Sequence, residues 1–289
     1  MSNQIDTNLV QTYSSNLELQ FQQRGSRLRD TVRNEPLNGE YGFFDRIGPV
    51  DAVEATDRHG DTPLIETPHD RRRIGGRDFR WADLIDKPDK LRMLADPTSA
   101  YVQNAIFALG RKMDDVIIEA FDATAYTGKN GATTVTASAD GVKTVNAASG
   151  ITLDVLRETK KYLTDRDQTE DGDTLYFGIT AEQLDEMLGI NEIQSADYNA
   201  LKALVNGEVD TFMGFKFVRS QRWTKSGTTR KLFAWAKSGM CLATADALTV
   251  RVSERDDKNY SVQPYVCGTF GATRMWGQQV VQINATEPA

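Results

Sequence analysis

The stretch Asp96-Pro97-Thr98-Ser99-Ala100-Tyr101-Val102-Gln103-Asn104-Ala105-Ile106-Phe107-Ala108-Leu109-Gly110-Arg111-Lys112-Met113-Asp114-Asp115-Val116-Ile117-Ile118-Glu119-Ala120-Phe121-Asp122 decides how the rest of the chain is read. Asp96 is a good N-cap, since its carboxylate accepts from the first unpaired amides of a helix. Pro97 then sits at the first helical position, where a missing N–H costs nothing. Val102, Ile106, Leu109, Met113, Val116, Ile117 and Ala120 recur at helical spacing, with Gly110 the only breaker. The pattern predicts a helix over 97–122, about 39 Å long at ~1.5 Å per residue. Arg111, Lys112 and Asp115 occupy the other face. Such a helix lies along a sheet or a second copy.

Upstream, residues 1–40 are polar and Gln/Asn-rich, with weak periodicity at Leu9, Val10, Tyr13, Leu17, Leu19 and Phe21. They read as an arm ordered only against a neighbour. Beyond it, Pro49, Pro63 and Pro68 punctuate short apolar pieces, and Arg58-His59-Gly60-Asp61 is turn chemistry, so an extended hairpin without its own core is expected. Downstream, 127–150 is rich in Gly, Ala, Thr and Ser and predicts a small hairpin and a connection. Residues 151–245 alternate as an α/β lobe: helices over 153–163 and 196–205, strands over 174–179, 212–220 and 231–235, and a helix opened by the capping box Thr180/Gln183. Residues 247–283 are mostly extended.

With 289 residues the chain is long enough for about two lobes and a real core. Mean hydropathy is −0.48, and no apolar run approaches the ~18 residues of a membrane helix. Met1-Ser2-Asn3-Gln4 opens without the basic flank and apolar core of a secretory signal. Two cysteines, Cys241 and Cys267, exclude a disulfide framework and read as small hydrophobes in a reducing compartment. A net charge of −7 argues against a protein whose main task is to grip a phosphate backbone.

Catalytic signatures are missing. His59 and His69 match no zinc spacing and read as loop residues. Asp167-Gln168-Thr169-Glu170-Asp171-Gly172 imitates the start of a calcium loop, but Gly178 stands where a bidentate Glu is required. Thr127-Gly128-Lys129-Asn130-Gly131 lacks the length and the following helix of a phosphate loop. The sequon Asn284-Ala285-Thr286 carries no meaning without a secretory route. Neither catalytic, cofactor-binding nor metal residues are assigned, and no enzyme is expected.

Two charge clusters remain: Arg71, Arg72, Arg73, Arg77 and Arg80, and Asp165, Asp167, Glu170, Asp171 and Asp173. The arginines could meet phosphates, with Phe79 and Trp81 stacking on bases, or form a solvated face. Salt bridges between chains are favoured, because a coreless hairpin needs a partner surface and the guanidinium fork suits carboxylates there.

Arg71-Arg72-Arg73, Trp81-Ala-Asp-Leu-Ile-Asp86-Lys-Pro-Asp89, Asp96-Pro97-Thr-Ser99-Ala-Tyr101 and Gly110-Arg111-Lys-Met-Asp114 resemble a branch of tailed-bacteriophage major capsid proteins. So do Gly214-Phe-Lys-Phe-Val-Arg-Ser220, Leu232-Phe-Ala-Trp-Ala236 and Gly271-Ala-Thr-Arg274, and the likeness spans roughly 60–285. It implies an α+β Hong Kong 97-type capsid fold. The expected parts are an N-terminal arm at 1–40, an extended hairpin (E-loop) at 41–90, a peripheral domain at 91–150 and 246–289 containing the spine helix, and an axial domain at 151–245. The implied partner is the chain itself, in pentamers and hexamers of an icosahedral head. Scaffolding, portal and decoration proteins are further implied partners. Packaged double-stranded DNA would be touched without specificity, and a membrane not at all. The implied location is the virion, assembled in the host bacterial cytoplasm. A cleaved N-terminal scaffolding segment and a lysine–asparagine crosslink are not expected. An encapsulin-like nanocompartment shell and a metal-dependent enzyme using the histidines or the acidic loop are the alternatives.

Overall fold

The computed structural model describes residues 22–54, 62, 64–86, 98–165, 172–189, 211–245 and 249–287. In chain order come β1 (Arg33–Pro36), β2 (Tyr41–Ile47), β3 (His69–Gly75), β4 (Arg77–Ala82) and helix α1 (Thr98–Asp122). Next are β5 (Ala125–Thr127), β6 (Thr133–Val135), β7 (Lys143–Ala147), α2 (Leu153–Thr164), β8 (Leu175–Ile179) and α3 (Ala181–Leu188). The chain continues through β9 (Thr211–Phe212), β10 (Phe215–Arg219), β11 (Lys225–Ser226), β12 (Thr229–Ala236) and β13 (Met240–Thr244). It closes with β14 (Thr249–Arg255), β15 (Ser261–Arg274) and β16 (Val280–Thr286). Helix α1 has 25 residues, about one fewer than its periodicity predicts; Asp96 and Pro97 lie outside the described residues, as does the helix expected at 196–205.

Two compact units emerge: the described residues within 1–25, 78–111 and 247–268 form one, and the other described residues form the second. The larger holds a mixed seven-stranded sheet in the order β7-β16-β12-β8-β10-β9, with β11 hanging from β12. β12 runs antiparallel to both β16 and β8, whereas β8–β10 and β16–β7 are parallel. This sheet crosses the boundaries expected at 150 and 246, since β7 and β16 pair into the strands of the α/β lobe. The single strand expected over 212–220 is split into β9 and β10 by a two-residue turn at Met213 and Gly214, both with positive φ (52° and 80°). Glycine makes such a turn cheap.

One face of the sheet is packed by Phe121 of α1. Its ring lies 4.7 Å from Phe233 and 4.8 Å from Trp235, with Trp223 6.1 Å away. Trp223 rests so closely on Gly178 that an added Cβ would stand 2.1 Å from its ring. Trp235 Nε1 donates to the carbonyl of Thr31 at 3.0 Å, which ties the segment before β1 to the core. β1 then pairs in parallel with β13, and Leu28, Val32 and Leu37 are buried. From residue 26 on, therefore, the expected arm is anchored in its own chain; residues 1–21 lie outside the described set.

A four-stranded sheet, β2-β3-β5-β6, carries the expected hairpin, with register running from Tyr41↔Gly75 to Ile47↔His69. The hairpin's base has a core after all: Leu37 and Ile74 pack with Cys241, Ala243 and Met275, and Phe44 joins them. Among the described residues further out, Val50, Val53 and Leu64 stay exposed, Leu64 at 96%.

In the smaller unit, β14 pairs antiparallel with β15 from Thr249↔Cys267 to Arg255↔Ser261, and β4 also joins β15. Ala105, Leu109 and Val266 form its core, with Phe79, Trp81 and Ile106 packed on them.

Candidate interaction surface and the ion pairs beneath it

Successive side chains of a strand point to opposite faces, so the three consecutive arginines of β3 cannot act together. Arg72 and Ile74 turn inward and are buried; His69, Arg71 and Arg73 share the outer face with Tyr41, Phe43, Asp45 and Ile47 across the register. This period-two sorting is legible in the sequence, because Ile74 shares its parity with Arg72.

Inward, Arg72 Nη2 donates to Asp140 Oδ1, and Arg274 Nε stands 3.5 Å from Asp140 Oδ2. Arg274 Nη1 reaches the carbonyls of Ala120, Phe121 and Ala123 at 3.0, 2.8 and 2.6 Å, so it caps the C-terminal end of α1. Arg72, expected at a contact between chains, is thus committed inside its own. Its side chain is 0% exposed, and no neighbouring copy can reach it. Beside it, Asp70 accepts from Arg46 Nε and Nη2 at 2.9 and 2.5 Å and from the Thr127 hydroxyl. Burial alone would raise the Asp70 carboxyl. The Thr127 hydroxyl and the Arg46 fork outweigh it and hold the group at about 2.

Outward, Arg71 pairs with Asp45 at 2.8 Å and lies 5.7 Å over the Phe43 ring. Arg73 is sandwiched between Tyr41 and Tyr126, 4.8 and 4.6 Å from their centroids. Tyr41, Phe43, Ile47 and Tyr126 all stay exposed. Aromatic rings interleaved with guanidinium groups are the composition of an interaction hot spot. Sequence reasoning found the arginines and missed the rings, because Tyr126 becomes their neighbour only through the β3–β5 pairing, Arg73↔Tyr126.

The other predicted residues scatter. Arg77 pairs with Glu119 at 2.8 Å and Arg80 with Asp78 at 3.6 Å, both at the surface. Asp165 is the exposed C-cap of α2, its N–H donating to Lys161 O at 2.8 Å. Asp173 Oδ2 accepts from Ser238 N–H at 2.9 Å and from its hydroxyl. Asp167, Glu170, Asp171 and His59 lie outside the described residues; His69 sits on β3. Cys241 is buried, which pushes its thiol up to about 12, while Cys267 is half-buried. Among the described residues, no group of three or more His, Cys, Asp or Glu converges as a metal site, and no helix is long and apolar enough to cross a membrane.

Two further anchors escaped the sequence reading. Asp114, buried on α1, accepts from Ser26 Oγ at 2.5 Å and from the amides of Arg27 and Leu28 at 3.1 Å. Glu287 takes a two-pronged contact from Arg230 (3.0 and 2.9 Å), a 2.9 Å bond from Gln183 and a 3.3 Å contact from Lys225. Neither spacing, 88 residues between Ser26 and Asp114 or 57 between Arg230 and Glu287, leaves a local signal.

Mixed helix and sheet built around one long helix is the arrangement of the Hong Kong 97-type capsid fold, the α+β fold expected above, and solved capsid structures share it. A structure from Mycobacterium phage Che8 superposes with a TM-score of 0.74 at 15% identity, covering 97% of this chain and 98% of that one. The capsid of cyanophage P-SCSP1u matches with a TM-score of 0.74 at 12% identity, over 98% and 95%. The capsid of a native GTA particle gives 0.70 at 14%, over 96% of each. No curated protein matches the sequence. The family model of phage capsid proteins fits residues 5–287, and the chain belongs to that family.

Proposed function

We propose that this capsid protein is the major head subunit of a tailed bacteriophage. It assembles through hexamers and pentamers into an icosahedral shell around packaged double-stranded DNA, in the cytoplasm of the host bacterium. The observation that carries this reading is the outer face of β2 and β3, where Tyr41, Phe43, Ile47 and Tyr126 stay exposed around Arg71 and Arg73. Single exposed apolar residues are ordinary, but a contiguous set ringed by arginines marks a protein contact. Heterologous contacts that close on themselves give rings, and curved rings give shells.

Arg71, Arg73, Arg77 and Arg80 are the basic side of the proposed contact, with Asp165 and Asp173 on the acidic side. Scaffolding, portal and decoration proteins are further proposed partners. Expression of the chain, alone and with its scaffold, followed by electron microscopy tests the reading. Closed shells are expected. Protein that stays monomeric under every assembly condition would sink it, and shells that hold enzyme cargo in place of DNA would move it to a nanocompartment.

A further inference from the structure

We infer that β2 pairs edge to edge with β2 of a second copy, antiparallel about a twofold axis at Phe44, so that two four-stranded sheets become one. β2 ends its sheet, and among the described residues no strand lies beyond it. The bonds at the two ends of its ladder fix which backbone groups are spent. Gly76 N–H donates to Glu40 O at 3.2 Å, and Gly48 N–H donates to Pro68 O at 3.0 Å. Both bonds belong to the register in which Tyr41 faces Gly75 and Ile47 faces His69. Bonded and unbonded pairs alternate along an antiparallel ladder, so the even-numbered residues of β2 are the ones that bond to β3. The N–H and C=O groups of Tyr41, Phe43, Asp45 and Ile47 therefore point to the open edge. The same four residues are the exposed ones of the strand.

An unpaired strand edge is a template for another strand, and proteins that must not use it blunt it with prolines, charges or brevity. Among the described strands, β9 has two residues and β6 three, β1 ends on Pro36, and β14 carries Arg251, Glu254 and Arg255. β2 has seven residues without proline or lysine. Its two charges are met within the chain, Asp45 by Arg71 and Arg46 by Asp70. A second β2 complements this edge. With Phe44 on the axis, Tyr41 faces the partner's Ile47 and Phe43 faces the partner's Asp45, so every open N–H and C=O of the four residues finds a mate. A slip of one residue would set open groups against spent ones. A slip of two residues sets Asp45 against the partner's Asp45 in one direction and leaves Ile47 opposite the partner's Gly39, outside the strand, in the other. On the inner face the half-buried Phe44 meets the partner's Phe44 as an aromatic cross-strand pair. This pairing rests on the shell reading, in which heterologous contacts close each ring and a twofold contact joins one ring to the next.

Cysteines read the register directly. In a full chain carrying Cys267→Ser, the variants Tyr41→Cys and Ile47→Cys are assembled singly, mixed in equal amounts, and combined in one chain, then oxidised. Facing residues of a bonded antiparallel pair have Cα atoms about 5.5 Å apart, within disulfide reach. Disulfide-linked dimers are expected from the mixture and from the combined variant. Neither single variant should give them, because like positions stand roughly 20 Å apart at ~3.3 Å per residue. Asp45→Pro removes an edge N–H and no bond to β3, so in the combined variant it should abolish the dimer, whereas Asp45→Ala should retain it. Shells that form without the dimer would overturn the pairing and leave the capsid reading standing. A dimer from either single variant would also overturn the pairing, and subunits that stay monomeric under every condition would overturn both. If the variants fail to fold, hydrogen exchange of the native chain decides. Assembly should slow the amides of Tyr41, Phe43, Asp45 and Ile47 by about tenfold or more, while those of Gly42, Phe44 and Arg46 are slow before and after. Unchanged exchange at the four would overturn the pairing, and slowed exchange without the dimer in folded variants would give the edge to a different strand.

Discussion

At position 72 one methylene-linked guanidinium separates two meanings of the same motif. Arg71, Arg72 and Arg73 are chemically identical, and a sequence assigns them together. The strand sends Arg72 into the interior beside Asp140 and leaves Arg71 half-exposed on Asp45. Arg72→Glu would place a second carboxylate against Asp140 in a dry site. It should cost the subunit ~3–5 kcal/mol, the scale of breaking a buried ion pair. Arg71→Glu, whose partner is exposed, should cost under ~1 kcal/mol. Urea unfolding midpoints compare the two, and equal losses would contradict the sorting by strand parity. Gly178 is a second such position. Its Cβ would lie 2.1 Å from the ring of Trp223, which is itself wedged against Phe121, Phe233 and Trp235. Gly178→Ala should therefore destabilise by ~1–3 kcal/mol through overpacking, with a change in tryptophan fluorescence reporting the shifted ring.

Among the elements, those with strong local chemistry were legible. The run from Val102 to Ala120 predicts α1, and Thr180 with Gln183 predicts the start of α3, where Gln183 Oε1 accepts from the Thr180 amide at 3.1 Å. What joins the elements was not legible, because it rests on single acceptors far away in sequence. Residues 26–37 look coreless until β13 and Asp114 supply partners. Asp114→Ala would leave the amides of Arg27 and Leu28 without their acceptor, at a cost of about 3 kcal/mol. Hydrogen exchange at those two amides should accelerate while β12 stays protected. The anchor at Glu287 carries a pH signature. Burial alone would raise its carboxyl, but the Arg230 fork, Gln183 and Lys225 hold it at about 2 against an ordinary 4.5. A carboxyl depressed in the folded state stabilises above its unfolded value and loses that contribution as pH falls. Glu287→Gln should thus lower stability at neutral pH and flatten the stability curve between about 4.5 and about 2, as read from midpoints across that range. An unchanged slope would place the acid sensitivity elsewhere, with Asp70, held near the same value, as the next group to test.

At the level of the molecule, the sequence predicts that the first ninety residues need sister copies to acquire their shape. The structure divides that statement. The base of the hairpin and residues 26–37 carry their own core, whereas the outer face of β2 and β3 does not. The part left for a neighbour is smaller and more aromatic than a charge count suggests, since Arg72 is spent inside and Arg73 is held between two tyrosines. This yields a separable prediction. Phe43→Ala combined with Tyr126→Ala removes two exposed rings that stack with Arg71 and Arg73 but bury little within the subunit. Subunit stability should move by under ~1 kcal/mol, as for surface substitutions in general. An aromatic at the centre of a contact is worth ~2 kcal/mol or more, about a thirtyfold change in each pairing constant. In a closed shell that loss recurs at every equivalent contact, so the double variant should give folded, soluble subunits that no longer close into particles. Size-exclusion chromatography with electron microscopy separates the outcomes. Intact shells from the double variant would move the contact off this face, and unfolded protein would mean that the rings serve the subunit itself.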